Sequence, residues 1–232
     1  MFIAGFPSAM FQTNCYVVAT APGEQCVVVD PGIEVVDQLE ELLAEHRLQP
    51  VAVMLTHGHL DHTYSVAPVC GARGIPAWIH PDDRELLVDP GKGMGMSTQA
   101  LFGGRLEWTE PDDVRLLDDG APIELAGLSF SVDHAPGHTP GSVMFRLPKV
   151  GDVGEPILIS GDVLFQGSIG RMDLPGGSEE QMFESLRTKV LPLDDATIVL
   201  PGHGDQTTIG IERATNPYLD MVARPAGPHR GM

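Results

Sequence analysis

Positive charge is scarce in this chain: 14 lysines and arginines stand against 32 aspartates and glutamates over 232 residues, a net charge of -18. Such a surface repels phosphate backbones, so generic nucleic-acid binding is not expected. An anionic substrate would need a local positive centre, and a metal pair can supply one. Cysteine is scarcer still. Cys15, Cys26 and Cys70 are odd in number and form no Cys-x-x-Cys pair, which argues against a disulfide framework or a cysteine zinc site. Cys15 and Cys26 lie in apolar, strand-like runs and read as small core residues, and a reducing cytoplasm is the expected compartment. No apolar run approaches the ~20 residues that span a bilayer, so no membrane partner is expected. Met1 to Met10 also lacks the basic start of a signal peptide. Repeats, low-complexity blocks and long linkers are absent too.

What remains is an ordinary globular composition, 42% hydrophobic and 20% charged, with enough length for a substantial core. We assign residues 1–223 to a single domain and 224–232, rich in proline and glycine, to a loose tail. Strands are expected at Phe2–Ala4, Asn14–Ala19 and Gln25–Val29, the last two joined by a Pro22-Gly23 turn. Glu34–His46 has helical spacing. Val51–Leu55 is short, β-branched and bounded by Pro50 and Gly58, so it reads as a buried strand. Short helices are expected at Tyr64–Cys70 and at Asp82–Val88, with a strand at Pro76–His80 between them, and this alternation points to α/β layering. Asp89–Gly104, glycine-rich and aperiodic, is either a mobile loop over a site or a plain surface loop. Val114–Leu117 runs into Asp118-Asp119-Gly120, read as a hairpin turn. Further hairpins are expected about Gly127 and between Val143–Leu147 and Pro156–Ser160. Ser178-Glu179-Glu180-Gln181 has the form of a capping box opening a helix to about Val190. Thr197–Leu200 is another buried strand.

The chemistry concentrates where these strands stop. Val51–Leu55 runs into His57-Gly58-His59-Leu60-Asp61-His62, three imidazoles and a carboxylate entering a loop, a combination suited to zinc, iron or manganese. Leu128–Val132 leads to Asp133-His134-Ala135-Pro136-Gly137-His138, Ile157–Ser160 to Gly161-Asp162, and Thr197–Leu200 to Pro201-Gly202-His203. In the last three stretches a glycine precedes His138, Asp162 and His203 and lets the backbone bend back over the strand end. Strands sharing a direction would bring these turns to one sheet edge, on the rigid base a metal site needs.

The order His-x-His-x-Asp-His, Pro-Gly-His, Gly-Asp, Pro-Gly-His resembles the metallo-β-lactamase-fold hydrolases, over nearly the whole chain. The resemblance implies an αββα sandwich of two mixed β-sheets flanked by helices, with two divalent metal ions at one edge. Zinc is the first expectation and iron or manganese the alternatives. It implies that His57, His59 and His138 hold one ion, that Asp61, His62 and His203 hold the other, and that Asp162 bridges them, with a hydroxide between the metals. Asp61 is also a candidate proton acceptor. Asp30, which ends a strand in Val29-Asp30-Pro31-Gly32, is implied to orient ligands without touching the metal. His134 is read as core or as a support to the ligands rather than a ligand. His46, His80 and His229 are read as structural or solvated.

A metal pair favours hydrolysis of an ester, thioester, lactone, amide or phosphodiester. A thiolate leaves with a pKa of about 8.5 and needs little acid assistance, and no independent general acid stands out, which favours a thioester. Phe165 to Gly177 and Gly202 to Gly210, followed by Glu212 and Asn216-Pro217, resemble the short bacterial glyoxalase II-like hydrolases. That implies hydrolysis of a hydroxyacyl thioester such as S-lactoyl-glutathione. Met172 stands where most relatives carry Thr or Ser. Arg171 could bind a substrate carboxylate, but an ion pair with Asp173 is the better expectation. Full-length glyoxalase II enzymes add a helical C-terminal domain for glutathione, and no room is left for one after His203, so another thiol carrier remains open. Persulfide dioxygenases share much of the pattern, including Gly-Arg-x-Asp. That resemblance implies a single iron on His57, His138 and Asp162. Lactonase activity is a third reading, and β-lactam hydrolysis is not expected without a secretion signal.

Overall fold

Two β-branched runs of opposite direction set the scaffold. Every residue of β2 (Asn14–Ala19) is buried, as is all but the first of β3 (Gln25–Val29), so both faces of these strands must be covered. The computed structural model that provides this view describes residues 1–97, 100, 103, 108–149 and 154–224. The described residues form two six-stranded sheets. The first runs β1 (Phe2–Pro7), β2, β3, β4 (Gln49–Met54), β5 (Ala77–Ile79), β6 (Val114–Leu116). The second runs β12 (Thr207–Thr208), β11 (Ile198–Pro201), β10 (Ile157–Gly161), β9 (Val143–Leu147), β8 (Leu128–His134), β7 (Pro122–Leu125).

The period of two divides each strand between two cores. Tyr16, Val18, Val27, Val29 and Met54 of the first sheet pack with Phe130, Val132, Phe145, Ile159 and Leu200 of the second. The opposite faces take helices. Cys15, Val17, Cys26, Val28 and Val53 pack on α1 (Val36–His46) and α3 (Val66–Gly71). Met144, Leu158 and Val199 pack on α6 (Glu179–Ser185), α7 (Ile209–Thr215) and α8 (Pro217–Ala223). The result is the αββα sandwich of two mixed sheets. All three cysteines are free and buried, and burial pushes the Cys26 and Cys70 thiols up to about 12.

Direction explains why strand ends meet. β3 and β4 are parallel, and so are β10 and β11. β8 and β10 are both antiparallel to the β9 between them and therefore share a direction. At the edge where these strands end the sheets are stitched together, with Val143 N–H donating to Thr56 O (2.8 Å) and Asn14 N–H to Gly202 O (2.7 Å).

Three local expectations change. The Asp118-Asp119-Gly120 turn is not a hairpin, because β6 pairs with β5 in the first sheet while β7 pairs with β8 in the second. That turn carries the chain from one sheet to the other. The helix after the His-rich stretch starts earlier, as α2 (Leu60–Thr63), so Asp61 and His62 sit on a helical turn rather than in a loop. The first helix starts later than Glu34, whose φ of 57° is left-handed. Ser178 Oγ accepts from Gln181 N–H at 3.3 Å, and beyond α6 the chain continues as a π-helical turn, Leu186–Val190. A short 3-10 turn, Pro81–Asp83, precedes α4 (Arg84–Val88), and α5 (Gly91–Met94) follows. The proposed tail, apart from Arg224, lies outside the described residues, as does most of the Asp89–Gly104 segment beyond Ser97.

Candidate metal centre

The turn after β4 delivers His57 and His59, and α2 delivers Asp61 and His62. His138 comes from the β8–β9 connection, Asp162 from the residue after β10, and His203 from the turn after β11. Glycine works differently at the last two turns. Gly161 takes a φ of 50°. Gly202 does not, and its requirement is space: a Cβ there would lie 2.2 Å from Asp162 Oδ1 and 2.8 Å from His62 Cε1.

All seven side chains come together. His57, His59 and His138 each place a ring nitrogen within 4.8 Å of the other two, and Asp61, His62 and His203 form a second trio to the same limit. Asp162 stands between them, with Oδ1 3.3 Å from His62 Nε2 and Oδ2 3.5 Å from both His138 Nε2 and His203 Nε2. His59 Nδ1 and His138 Nε2 are 2.8 Å apart, and His62 Nε2 and His203 Nε2 3.3 Å. His57 Nε2, His59 Nε2 and Asp162 Oδ1 are buried without a hydrogen-bond partner. Buried polar atoms left unpaired are costly unless a cation accepts their lone pairs. The donor set therefore fits divalent ions.

The far sides of these groups are held. Asp30, at a left-handed φ of 49°, accepts from Thr56 N–H (2.8 Å) and Thr56 Oγ1–H (2.6 Å) and lies 3.0 Å from His62 Nδ1. Such strain in a buried acid is maintained where the surroundings over-determine it. Thr56 Oγ1 is in turn 3.1 Å from His57 Nδ1. His138 Nδ1 pairs with the carbonyl of Arg171 (2.8 Å) and His203 Nδ1 with that of Phe11 (3.1 Å). Thr13 Oγ1 donates to Asp61 Oδ2 at 3.0 Å. These bonds leave the opposite nitrogens facing the centre. Thr13, Thr56 and the two carbonyls were not legible in advance. Every residue carries a carbonyl, and threonine gives no positional signal.

The two trios differ in charge. Burial, and then the neighbouring imidazoles, hold His57 well below the ordinary histidine range, and burial with His138 brings His59 to about 3. Burial opposes charge on His62 as well, but Asp61 and Asp162 beside it raise it well above that range. His203 is raised by its bond to Asp61 and by Asp162, against burial. Asp61 and Asp162 are lowered, mainly by His62, although burial acts the other way.

His134 makes no hydrogen bond to any of the seven, which corrects the expectation that it supports them. Its ring stacks on His80 (3.9 Å, 12°) and its Nε2 pairs with Pro140 O at 2.8 Å. His80, Asp82 and His134 also form a cluster of ligand-type atoms. Stacked rings, however, direct their lone pairs in near-parallel planes, and no single ion lies in both. The Arg171 guanidinium is paired twice with Asp173, at 2.7 Å each, and both groups are exposed. Met172 packs on the core beneath α6, and nothing in the structure gives it a role at the site.

A cavity of about 410 Å³ opens beside the centre, walled by Phe11, Met94, Phe165, Ile169 and Leu174. Met94 brings the described part of the glycine-rich segment over the site, where a Cβ on Gly93 would lie 2.9 Å from His59 Cδ2.

Comparison with known proteins matches this geometry. The profile of the metallo-beta-lactamase superfamily covers residues 9–203. An uncharacterized protein from Mycobacterium tuberculosis is 46% identical, over 97% of this chain and 100% of its own length. Hydroxyacylglutathione hydrolase GloC from Haemophilus influenzae is 34% identical, over 95% of this chain and 99% of its own. Among solved structures, BLEG-1 B3 metallo-beta-lactamase superposes with a TM-score of 0.81 at 36% identity, covering 94% of this chain and 99% of that one. TTHA1623 in a di-iron-bound form gives 0.76 at 39%, with 94% and 100% coverage. ETHE1 from Myxococcus xanthus, 22% identical at 0.73 over 99% and 93%, shares the fold. No described helix is long and apolar enough to cross a membrane.

Proposed function

The chain belongs to the metallo-beta-lactamase superfamily, and from that premise we propose that it hydrolyses a hydroxyacyl thioester, S-lactoyl-glutathione or a related thiol conjugate. Two divalent ions, zinc first and iron or manganese as alternatives, would be held by His57, His59 and His138 and by Asp61, His62 and His203, with Asp162 common to both. The observation that carries this reading is the presence of two complete trios sharing one carboxylate beside an apolar cavity.

Ions in that set would lower the pKa of a bound water and polarise an acyl oxygen. The chain's own residues supply the rest. Phe11, Phe165, Ile169 and Leu174 wall the cavity and keep bulk water from the acyl group. Asp61, with Oδ2 3.3 Å from His203 Nε2 and bonded by Thr13, is the candidate proton acceptor of this reading. Among the described lining residues no lysine, tyrosine or glutamate offers itself as a general acid. A thiolate leaves without one and an amine does not.

Glutathione stays in the substrate class. A relative named hydroxyacylglutathione hydrolase, GloC, is matched over 99% of its own length, and this supports keeping glutathione. The runner-up, a persulfide dioxygenase with one iron on His57, His138 and Asp162, leaves Asp61, His62 and His203 converged without a task. Metal content per chain, measured beside a substrate panel, tests both readings. We expect two ions per chain and thiol release from S-lactoyl-glutathione, abolished by chelation and by His59→Ala. One iron per chain with oxygen uptake on glutathione persulfide would replace this reading with the runner-up. Turnover confined to a lactone or a β-lactam would keep the centre and change the bond.

A further inference from the structure

Asp83 sits in the 3-10 turn before α4, on none of the loops that carry the ligand-type residues, yet its carboxylate ties two of those loops together. Oδ2 accepts from Gly58 N–H (2.8 Å) and from Thr139 Oγ1–H (2.7 Å), and Oδ1 accepts from Gly141 N–H (2.7 Å). Gly58 lies between His57 and His59, while Thr139 and Gly141 follow His138. The side chain is fully buried and bonds to no imidazole. The approach is close on both sides. A Cβ on Gly141 would lie 2.6 Å from Asp83 Cγ, and one on Gly58 would lie 2.6 Å from Leu86 Cβ and 3.1 Å from Asp83 O.

We propose that Asp83 is the positioning residue of the His57, His59 and His138 trio: it fixes the spacing of the two loops that deliver those imidazoles and thereby sets their affinity for a metal ion. The role is selective. Asp61, His62 and His203 are anchored elsewhere, by Thr13, Asp30 and the Phe11 carbonyl. Charge and shape are both needed. Three donors converge on two oxygens, so an amide at position 83 turns its NH2 against either Gly141 N–H or Gly58 N–H, and one loop is released. A longer acid has no room, given the packing at Gly141.

This inference rests on the reading that the trios hold metal ions, and the test separates the two ideas. Zinc per chain is measured after dialysis against graded zinc-chelator buffers, for the wild type, Asp83→Asn, His59→Ala, Asp61→Asn and the two double variants with Asp83→Asn. We expect two ions in the wild type. Asp83→Asn should weaken one of them about 10- to 100-fold, the usual scale for a group that orients ligands. Its effect should vanish in the His59→Ala background, where that trio is already broken. In the Asp61→Asn background it should remove the remaining ion. Far-UV circular dichroism of the metal-free forms checks folding. Should Asp83→Asn not fold, Thr139→Val, which removes one of the three bonds, carries the test with a smaller loss of the same ion. A wild type that binds none of zinc, iron or manganese would remove the metal centre, and this inference with it. Two ions bound with unchanged affinity in both Asp83→Asn and Thr139→Val would overturn the role of Asp83 alone. Equal loss of both ions would also overturn it, by reducing Asp83 to a general structural residue.

Discussion

The two halves of the centre solve one problem in opposite ways. His57, His59 and His138 form an all-imidazole set in which burial holds His57 and His59 neutral, with His59 near 3. Asp61, His62 and His203 form an ionic network in which carboxylates and raised imidazoles already neutralise one another. In the first half His57 and His59 carry no proton near neutral pH for a cation to displace. The second is filled by protons that a cation must displace. Similar ligand counts therefore do not imply similar binding: the protons the ligands must release decide its cost.

Removing the shared carboxylate should erase the contrast and give the largest effect. Asp162→Ala should lose both ions under mild chelation and reduce thioester turnover on the order of 10³-fold or more, since metal assistance contributes several kcal/mol to such barriers. Metal analysis and kcat/KM on S-lactoyl-glutathione check it. Retention of one tight ion would mean that the halves are independent. Asp30→Ala should then fall on the second half, because Asp30 bonds His62 directly and reaches His57 only through Thr56. About a 10- to 100-fold loss of affinity for one ion is expected. In the Asp61→Asn background, where that half is already broken, the same change should add little.

Acidity sharpens the contrast further. His62 is raised above its unfolded pKa of about 6.5, so filling the second half releases a proton throughout the neutral range. Its affinity should rise with pH by up to about tenfold per unit for each proton displaced. On acidification from pH 8 to 6 the second ion should leave first, as read by metal content after dialysis at each pH. In the metal-free protein the signs oppose. The raised His62 and His203 contribute stability that is present below about pH 6.5 and is lost as pH rises through their folded values. The lowered His57 and His59 lose stability as pH falls from about 6.5 toward about 3. A melting temperature highest near about pH 6.5 is expected, falling on both sides, and a monotonic profile would contradict the assignment.

Much of this was legible from the chain, and the exceptions share a cause. The seven ligand-type residues stood out because each follows an apolar run, and strand direction then decides which ends coincide. Gly202 serves another purpose than its place in a turn suggests, since it gives way to Asp162 rather than bending the chain. Asp118-Asp119-Gly120 offers the same turn chemistry whether the next strand pairs back or crosses to another sheet, so local sequence could not separate the two. Asp83 was invisible as anything but a helix-start acid. Its partners are two backbone amides and a hydroxyl, 25 to 58 residues away, and backbone donors leave no trace in sequence. Spacing thus exposes groups that carry chemistry and hides those that hold them.

The smallest effect is expected at Arg171, the cation nearest the centre among the described cavity residues. Its backbone and side chain have separate duties. The carbonyl orients His138, a bond that substitution of the side chain does not touch. The guanidinium is engaged by Asp173 in two bonds at the exposed rim, where ion pairs are weak and screened. Arg171→Ala should therefore leave zinc content unchanged and shift KM for S-lactoyl-glutathione by less than about threefold. Asp173→Ala, which frees the guanidinium, should lower KM if the cavity accepts anionic thiol carriers. A tenfold rise in KM for Arg171→Ala, with kcat unaltered, would mean that the arginine leaves Asp173 to bind a substrate carboxylate. In that case the acidic chain does reserve one positive group for its ligand, beside the metal pair.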